Sequence, residues 1–134
     1  MSARIREVTI SLPIADRHSS MTFYRDAFGL EPFGDPAPDG MPEPLMFRLD
    51  ERTVLGLIPA DGLAWVLGDR QLAPTATTEY LLGLTLDAAP DVDRYLDRVA
   101  AAGGSVLATP THQEWGYTAL CADPDGHAWQ LVAP

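Results

Sequence analysis

Apolar and polar positions alternate along residues 4–14, with Val8, Ile10, Leu12 and Ile14 on one side and Glu7, Thr9, Ser11 and Pro13 on the other. A period of two predicts a half-buried strand. The period then lengthens: Met21, Phe23, Tyr24, Ala27 and Phe28 recur at helical spacing, Ser19 or Ser20 can cap the start, and Gly29 supplies the stop. A short strand is expected over 30–33. Residues 34–44 hold four prolines and two glycines, which makes them a loop. Apolar runs at 45–49 and 53–58 then flank Asp50-Glu51-Arg52 and predict a hairpin.

The second half repeats this order. A strand is expected over 79–86, and a helix over 91–102 with Val92, Leu96, Val99 and Ala100 on one face and Gly103-Gly104 at its end. Three further strands are expected over 105–109, 115–122 and 127–132. The last two are joined by Asp123-Pro124-Asp125-Gly126, in which proline fixes φ, the aspartates bond nearby amides and glycine supplies a positive φ. Between the halves, 60–78 reads as an irregular linker carrying Trp65 and one short helical turn. The chain is thus expected to be α+β, with a βαβββ module over 1–59, a linker over 60–78 and a second βαβββ module over 79–134, all in one folded domain. A doubled unit of this kind implies two sheets that face one another.

Composition narrows the function classes. The net charge is −10 with nine basic residues, every one an arginine, and the acidic groups are spread from Glu7 to Asp125. No basic face is available to neutralise phosphates, so nucleic acid is not an expected partner. A cationic ligand would be attracted at long range. No apolar run approaches the roughly 18 residues of a spanning helix, so no membrane partner is expected, and the N-terminal residues do not resemble a signal peptide; a cytoplasmic location is the expectation. The single cysteine, Cys121, excludes an internal disulfide and a cysteine-based metal cluster, and its strand position suits a buried, inert thiol.

The doubled order, with S-S-M-T-F-Y-R-D-A-F-G-L at 19–30 and D-P-D-G-H-A-W-Q-L at 123–131, resembles the vicinal oxygen chelate superfamily. That group includes glyoxalase I, extradiol dioxygenases, fosfomycin-resistance enzymes and bleomycin-resistance proteins. The resemblance covers essentially the whole chain and implies curled half-open sheets, a ligand cleft and a homodimer. It also implies a divalent metal held by residues on the first and last strands of each module. The corresponding positions here are Thr9, one of Leu55, Gly56 or Leu57, a residue within 82–85, and Gln130. Gln130, with a shifted Glu7, offers too few ligands for a catalytic cation. His18, His112 and His127 fall in turns or loops. No metal and no cofactor are therefore expected.

A cleft without metal keeps shape, aromatic surface and hydrogen bonds as its resources. Thr9, Ser11, Phe47, Trp65, His112, Trp115, Tyr117 and Gln130 are the expected ligand-binding residues, and no catalytic residue is assigned. Stacked aromatics contribute about 0.5–1.5 kcal/mol each beyond area burial. The combination is similar to the bleomycin-resistance branch. It implies a small-molecule-binding protein that confers antibiotic resistance by sequestering a bulky aromatic or cationic natural product in an aromatic-lined cleft of a dimer. The alternative is a superfamily enzyme of lyase, isomerase or dioxygenase type with an atypical or absent metal site, in which Glu7 would be the base.

Overall fold

A computed structural model describes residues 4–68 and 70–134; the first three residues of the first module and Asp69 of the linker lie outside the described residues. Strand β1 spans Val8–Ile14, helix α1 Arg17–Phe28, and strands β2, β3 and β4 span Pro32–Phe33, Leu45–Asp50 and Thr53–Pro59. Helix α2, Ala60–Leu67, crosses to the second module, made of β5 (Leu82–Thr85), α3 (Ala89–Ala101), β6 (Ser105–Gln113), β7 (Gly116–Ala122) and β8 (Ala128–Ala133). The two sheets have the same construction, β1-β4-β3-β2 and β5-β8-β7-β6. In each, the first strand runs parallel to the last strand of its module, and the remaining pairs are antiparallel. The α+β reading and its repeat therefore hold.

Element boundaries moved where local chemistry was misjudged. Helix α1 is capped by Asp16, whose carboxylate accepts from the Ser19 amide at 2.8 Å, rather than by Ser19 or Ser20. Ser20 lies inside the helix, buried, with its hydroxyl 3.4 Å from Asp125. Gly29 ends the helix at φ 68, as its position implied. The short turn expected after residue 60 is a helix of eight residues. Strand β6 extends to Gln113, well past 109, with a register shift between Ala108 and Thr111 that lets an irregular strand continue.

One core joins both modules. Helix α1 packs against α3, and α3 covers β6, β7 and β8. Alternation sends Leu45 and Phe47 of β3, Leu55 and Leu57 of β4, and Trp129 and Leu131 of β8 into that core. The rings of Tyr24 and Phe28 meet Trp129 across the module boundary at centroid distances of 6.0 and 5.1 Å, both edge-on. Such edge-to-face pairs add to the area they bury.

The Asp123–His127 turn fastens the first module to the second. Asp123, only 3% exposed, accepts the Asp125 and His127 amides through Oδ1 at 2.9 Å each and the Tyr24 hydroxyl through Oδ2 at 2.6 Å. Trp129 Nε1 donates in turn to the Tyr24 oxygen at 3.1 Å. Asp125 Oδ1 accepts the Ala15 amide at 2.9 Å, and the His127 Nε2 lies 2.6 Å from the Pro13 carbonyl oxygen. The C-terminal end of β1 is thus held by the same turn that buries Asp123.

Candidate functional site

A cleft of about 850 Å³ opens between β1, α2 and the segment that leads into β5. Its first wall is β1, where Thr9 and Ser11 present hydroxyls. Those two side chains flank Gly56 of β4: a Cβ there would stand 3.4 Å from Ser11 Oγ and 3.5 Å from Thr9 Cγ2. The second wall is α2, which turns Ala60, Leu63 and Leu67 inward. These recur at i, i+3 and i+7, so a single helical stripe faces the space. Residues 70–82 form the third wall, and Asp125 and His127 of the module-joining turn close one end. The lining is mostly apolar, with hydroxyls on β1, Arg70, Gln71, Glu79 and threonines on the third wall, and a carboxylate and an imidazole at the end, a combination suited to a ligand with a large apolar body and some polar groups.

Of the eight expected ligand-binding residues, Thr9 and Ser11 are the ones that line this cleft. Phe47 does not: it is 0% exposed, and its ring sits 5.8 Å from Tyr24. The alternation along β3 directs Leu45 and Phe47 to the helices and leaves Met46 on the other face. Trp65 sits on α2 but on the side away from Leu63, 84% exposed.

His112, Trp115 and Tyr117 gather elsewhere, at the β6–β7 hairpin, around a shallow groove of about 410 Å³. Trp115 lies in the turn before β7 rather than on the strand and is 61% exposed. Tyr117 faces α3, where its hydroxyl donates to Asp93 at 2.8 Å, a bond that raises the phenol pKa. The His112 ring lies 4.6 Å from it. Gln130 is half-buried in the middle of the second sheet, opposite Leu120 and beside Gly83, and is not part of the cleft wall.

The strand register tests whether the residues present suit a superfamily metal. Thr9 pairs with Val54 and Ser11 with Gly56, while Gln130 pairs with Gly83. A hydroxyl, a glycine and an amide are poor donors for a divalent cation. Glu7, the carboxylate next to this set on β1's approach, is engaged by Arg48 at 3.2 Å on the surface. Among the described residues no three His, Cys, Asp or Glu side chains converge. The donor set does not fit the metal.

The electrostatics of the turn follow from burial. Burial pushes the Asp123 carboxyl above the usual carboxylate range, against the lowering effect of the Tyr24 hydrogen bond and of nearby His127. Burial, with the charge of Asp123, likewise raises Tyr24 well above an ordinary phenol. Cys121, fully buried, is pushed up to about 12 by desolvation and by Asp123, so it carries no thiolate near neutrality.

The parts of the site that sequence reasoning missed are the α2 stripe, the 70–82 wall and the Asp125–His127 end. The first had a signal in the spacing of Ala60, Leu63 and Leu67. The second had none over 70–78, which shows no periodicity, and the strand expected over 79–86 is shorter, beginning at Leu82, so that 79–81 belong to the wall instead.

No helix among the described residues is long and apolar enough to cross a membrane. No curated protein matches the chain. Among solved structures, it is similar to a glyoxalase-related enzyme from Fulvimarina pelagi, at 27% identity and TM-score 0.80, over 95% of this chain and 86% of that one. It is also similar to the hypothetical protein SA1046 from S. aureus, at 26% identity and TM-score 0.82, over 98% and 96% of the two chains. A third likeness, of fold alone, is to TnmS3, an antibiotic binding protein from Streptomyces sp. CB03234, at 22% identity and TM-score 0.64, over 100% and 99%. The family pattern of the Glyoxalase/Bleomycin resistance protein/Dioxygenase superfamily matches residues 6–131, and with its doubled βαβββ fold the chain belongs to that superfamily.

Proposed function

We propose that this protein binds a small molecule without a metal and sequesters a bulky, mainly apolar natural product, acting as a cytoplasmic homodimer in antibiotic resistance. The observation that carries the reading is the cleft itself: about 850 Å³ of mostly apolar wall, two hydroxyls on β1, and strand positions whose side chains are unsuited to a divalent cation. The existence of an antibiotic binding protein with this fold supports the same choice within the superfamily. Exposed Val8 on β1 and Val106 and Leu107 on β6 give apolar surface for the second protomer.

Thr9 and Ser11 would orient the ligand. A hydrogen bond contributes about 0.5–1.5 kcal/mol net, so each hydroxyl is expected to change affinity by roughly 2- to 13-fold. The test is a titration of the purified protein with a panel of apolar and cationic antibiotics by calorimetry, paired with metal analysis of protein prepared without chelator. Saturable binding at one site per chain, weakened in Thr9→Val and Ser11→Ala, supports the reading. One tightly held transition metal per chain would overturn it.

A second reading, a superfamily enzyme, is favoured by the likeness to a glyoxalase-related enzyme. It requires that the bound compound leave the cleft chemically altered. Mass analysis of ligand recovered from the complex distinguishes the two, since sequestration returns the compound unchanged.

A further inference from the structure

The three walls of the cleft are not fixed in the same way. Strand β1 is tied along its length to β4, and α2 is a regular helix. The 70–81 segment is neither. Residues 73–81 are all exposed. Among the described residues, the hydrogen bonds of 70–81 run from the Thr77 amide and hydroxyl to the Pro74 carbonyl and from the Arg70 amide to the Leu67 carbonyl, and none reaches either sheet. Yet this segment lines the cleft with Leu72, Ala76, Tyr80 and Leu81.

A close backbone contact joins it to the Asp123–His127 turn. Ala76 holds φ 63, a left-handed conformation that costs an alanine about 1–2 kcal/mol. It lies directly on Gly126, where a Cβ would come 3.0 Å from Ala76 Cα, 3.1 Å from its Cβ and 3.3 Å from its nitrogen. Gly126, itself at φ 87, belongs to the turn that supplies Asp125 and His127 to the end of the cleft. The strap therefore rests on the part of the turn where a side chain would push it off. At the segment's other approach, α2 stops at Gly68 with φ 67 and ψ −118, a conformation open to glycine.

We propose that residues 70–81 form a strap that opens and closes the cleft, with Gly68 as its hinge and the Ala76–Gly126 contact as its catch. The proposal rests on the reading of the cleft as the ligand site and adds how the ligand gets in. A wall with no hydrogen bond to either sheet among the described residues opens at far lower cost than one held by a β-ladder. The strain at Ala76 favours the open form, and a ligand that buries its apolar surface against Leu72, Tyr80 and Leu81 favours the closed form. Closure follows occupation because only the closed form offers those contacts.

The catch can be displaced. A Cβ at Gly126 would come 3.0 Å from Ala76 Cα and 3.1 Å from its Cβ, so Gly126→Ala lifts the strap from the turn. In that variant, uptake of the neutral fluorescent probe N-phenyl-1-naphthylamine is expected to be at least tenfold faster than in the unmodified protein. Equal uptake rates in the two proteins would overturn the strap.

Hydrogen exchange on the unmodified protein is a second arm that does not depend on the variant folding. The amides of 71–81 are expected to exchange far faster than those of β4 in free protein and to slow when the probe saturates. Protection matching β4 in free protein overturns the strap, as does exchange that stays unchanged at saturation. If the probe binds no form, the cleft fails as a ligand site, and the exchange of 71–81 in free protein still decides the strap separately.

Discussion

Replacing Tyr24 with phenylalanine deletes one oxygen from the junction of the two modules. The ring keeps its neighbours, Phe23 at 5.0 Å and Phe28 at 5.6 Å, so little packing is lost. What disappears is the bond to Asp123 Oδ2 at 2.6 Å and the acceptor for Trp129 Nε1 at 3.1 Å. A hydrogen bond to a charged group contributes about 1.5–3 kcal/mol, and an orphaned buried donor costs about 1–3. Both losses share one atom and do not add in full, which places the destabilisation at roughly 2–4 kcal/mol. For a chain of this length that corresponds to a Tm lower by roughly 8–16 °C.

The loss also depends on pH. The Tyr24 bond lowers the Asp123 pKa, so it favours the ionised carboxylate. The cost of Tyr24→Phe is therefore larger at pH 7 than at pH 4. Urea unfolding of both proteins at the two pH values measures it. A cost under about 1 kcal/mol at pH 7, or the same cost at both, would refute the reasoning.

Other outcomes follow from the same geometry. In the wild type the folded-state pKa of Asp123 lies above its ordinary value, so its contribution is full below the unfolded value and is lost as pH rises through the folded one. Asp123→Asn removes that slope, which stability curves across pH 4–8 would reveal; an unchanged slope contradicts it. Gly104→Ala drives a Cβ into the Ala122 carbonyl oxygen and to 2.5 Å from the Phe23 ring, and is expected to cost about 3 kcal/mol by chemical denaturation. Cys121 should resist a thiol reagent at pH 8 in native protein and react fully once unfolded; fast labelling of the native state would show the thiol is not buried. Trp115→Ala, remote from the cleft, should leave ligand affinity unchanged within about twofold in the calorimetric titration.

Much of the fold was legible because burial imposes periods. The alternation in β1, the helical spacing from Met21 to Phe28 and the Gly29 stop each reflect one face meeting a core, and together with the D-P-D-G turn they identify the doubled module. Asp16 was missed as a cap because Ser19 and Ser20 are equally good cap chemistry and the choice is made by where β1 ends.

The site was less legible. Alternation separates two faces of a strand but does not say which one meets helices, and aromatic residues placed in a cleft by their chemistry can equally fill a core. Phe47 did so, and Tyr117 turned to α3 and Asp93. The polar Thr9 and Ser11 were assignable because Ile10 and Leu12, packed against the core, claim the other face of β1. Residues 70–78 carry no pattern, and the strand expected from 79 begins only at Leu82, so the position of this wall was not legible.

The central claim, that the space between β1, α2 and the 70–82 segment is the ligand site, is tested most directly by an NMR titration with N-phenyl-1-naphthylamine. Saturable shifts are expected at Thr9, Ser11, Leu63, Leu67, Leu72 and His127, with none at His112, Trp115 and Tyr117. Shifts confined to the β6–β7 hairpin, or no saturable shift in the cleft, would contradict it.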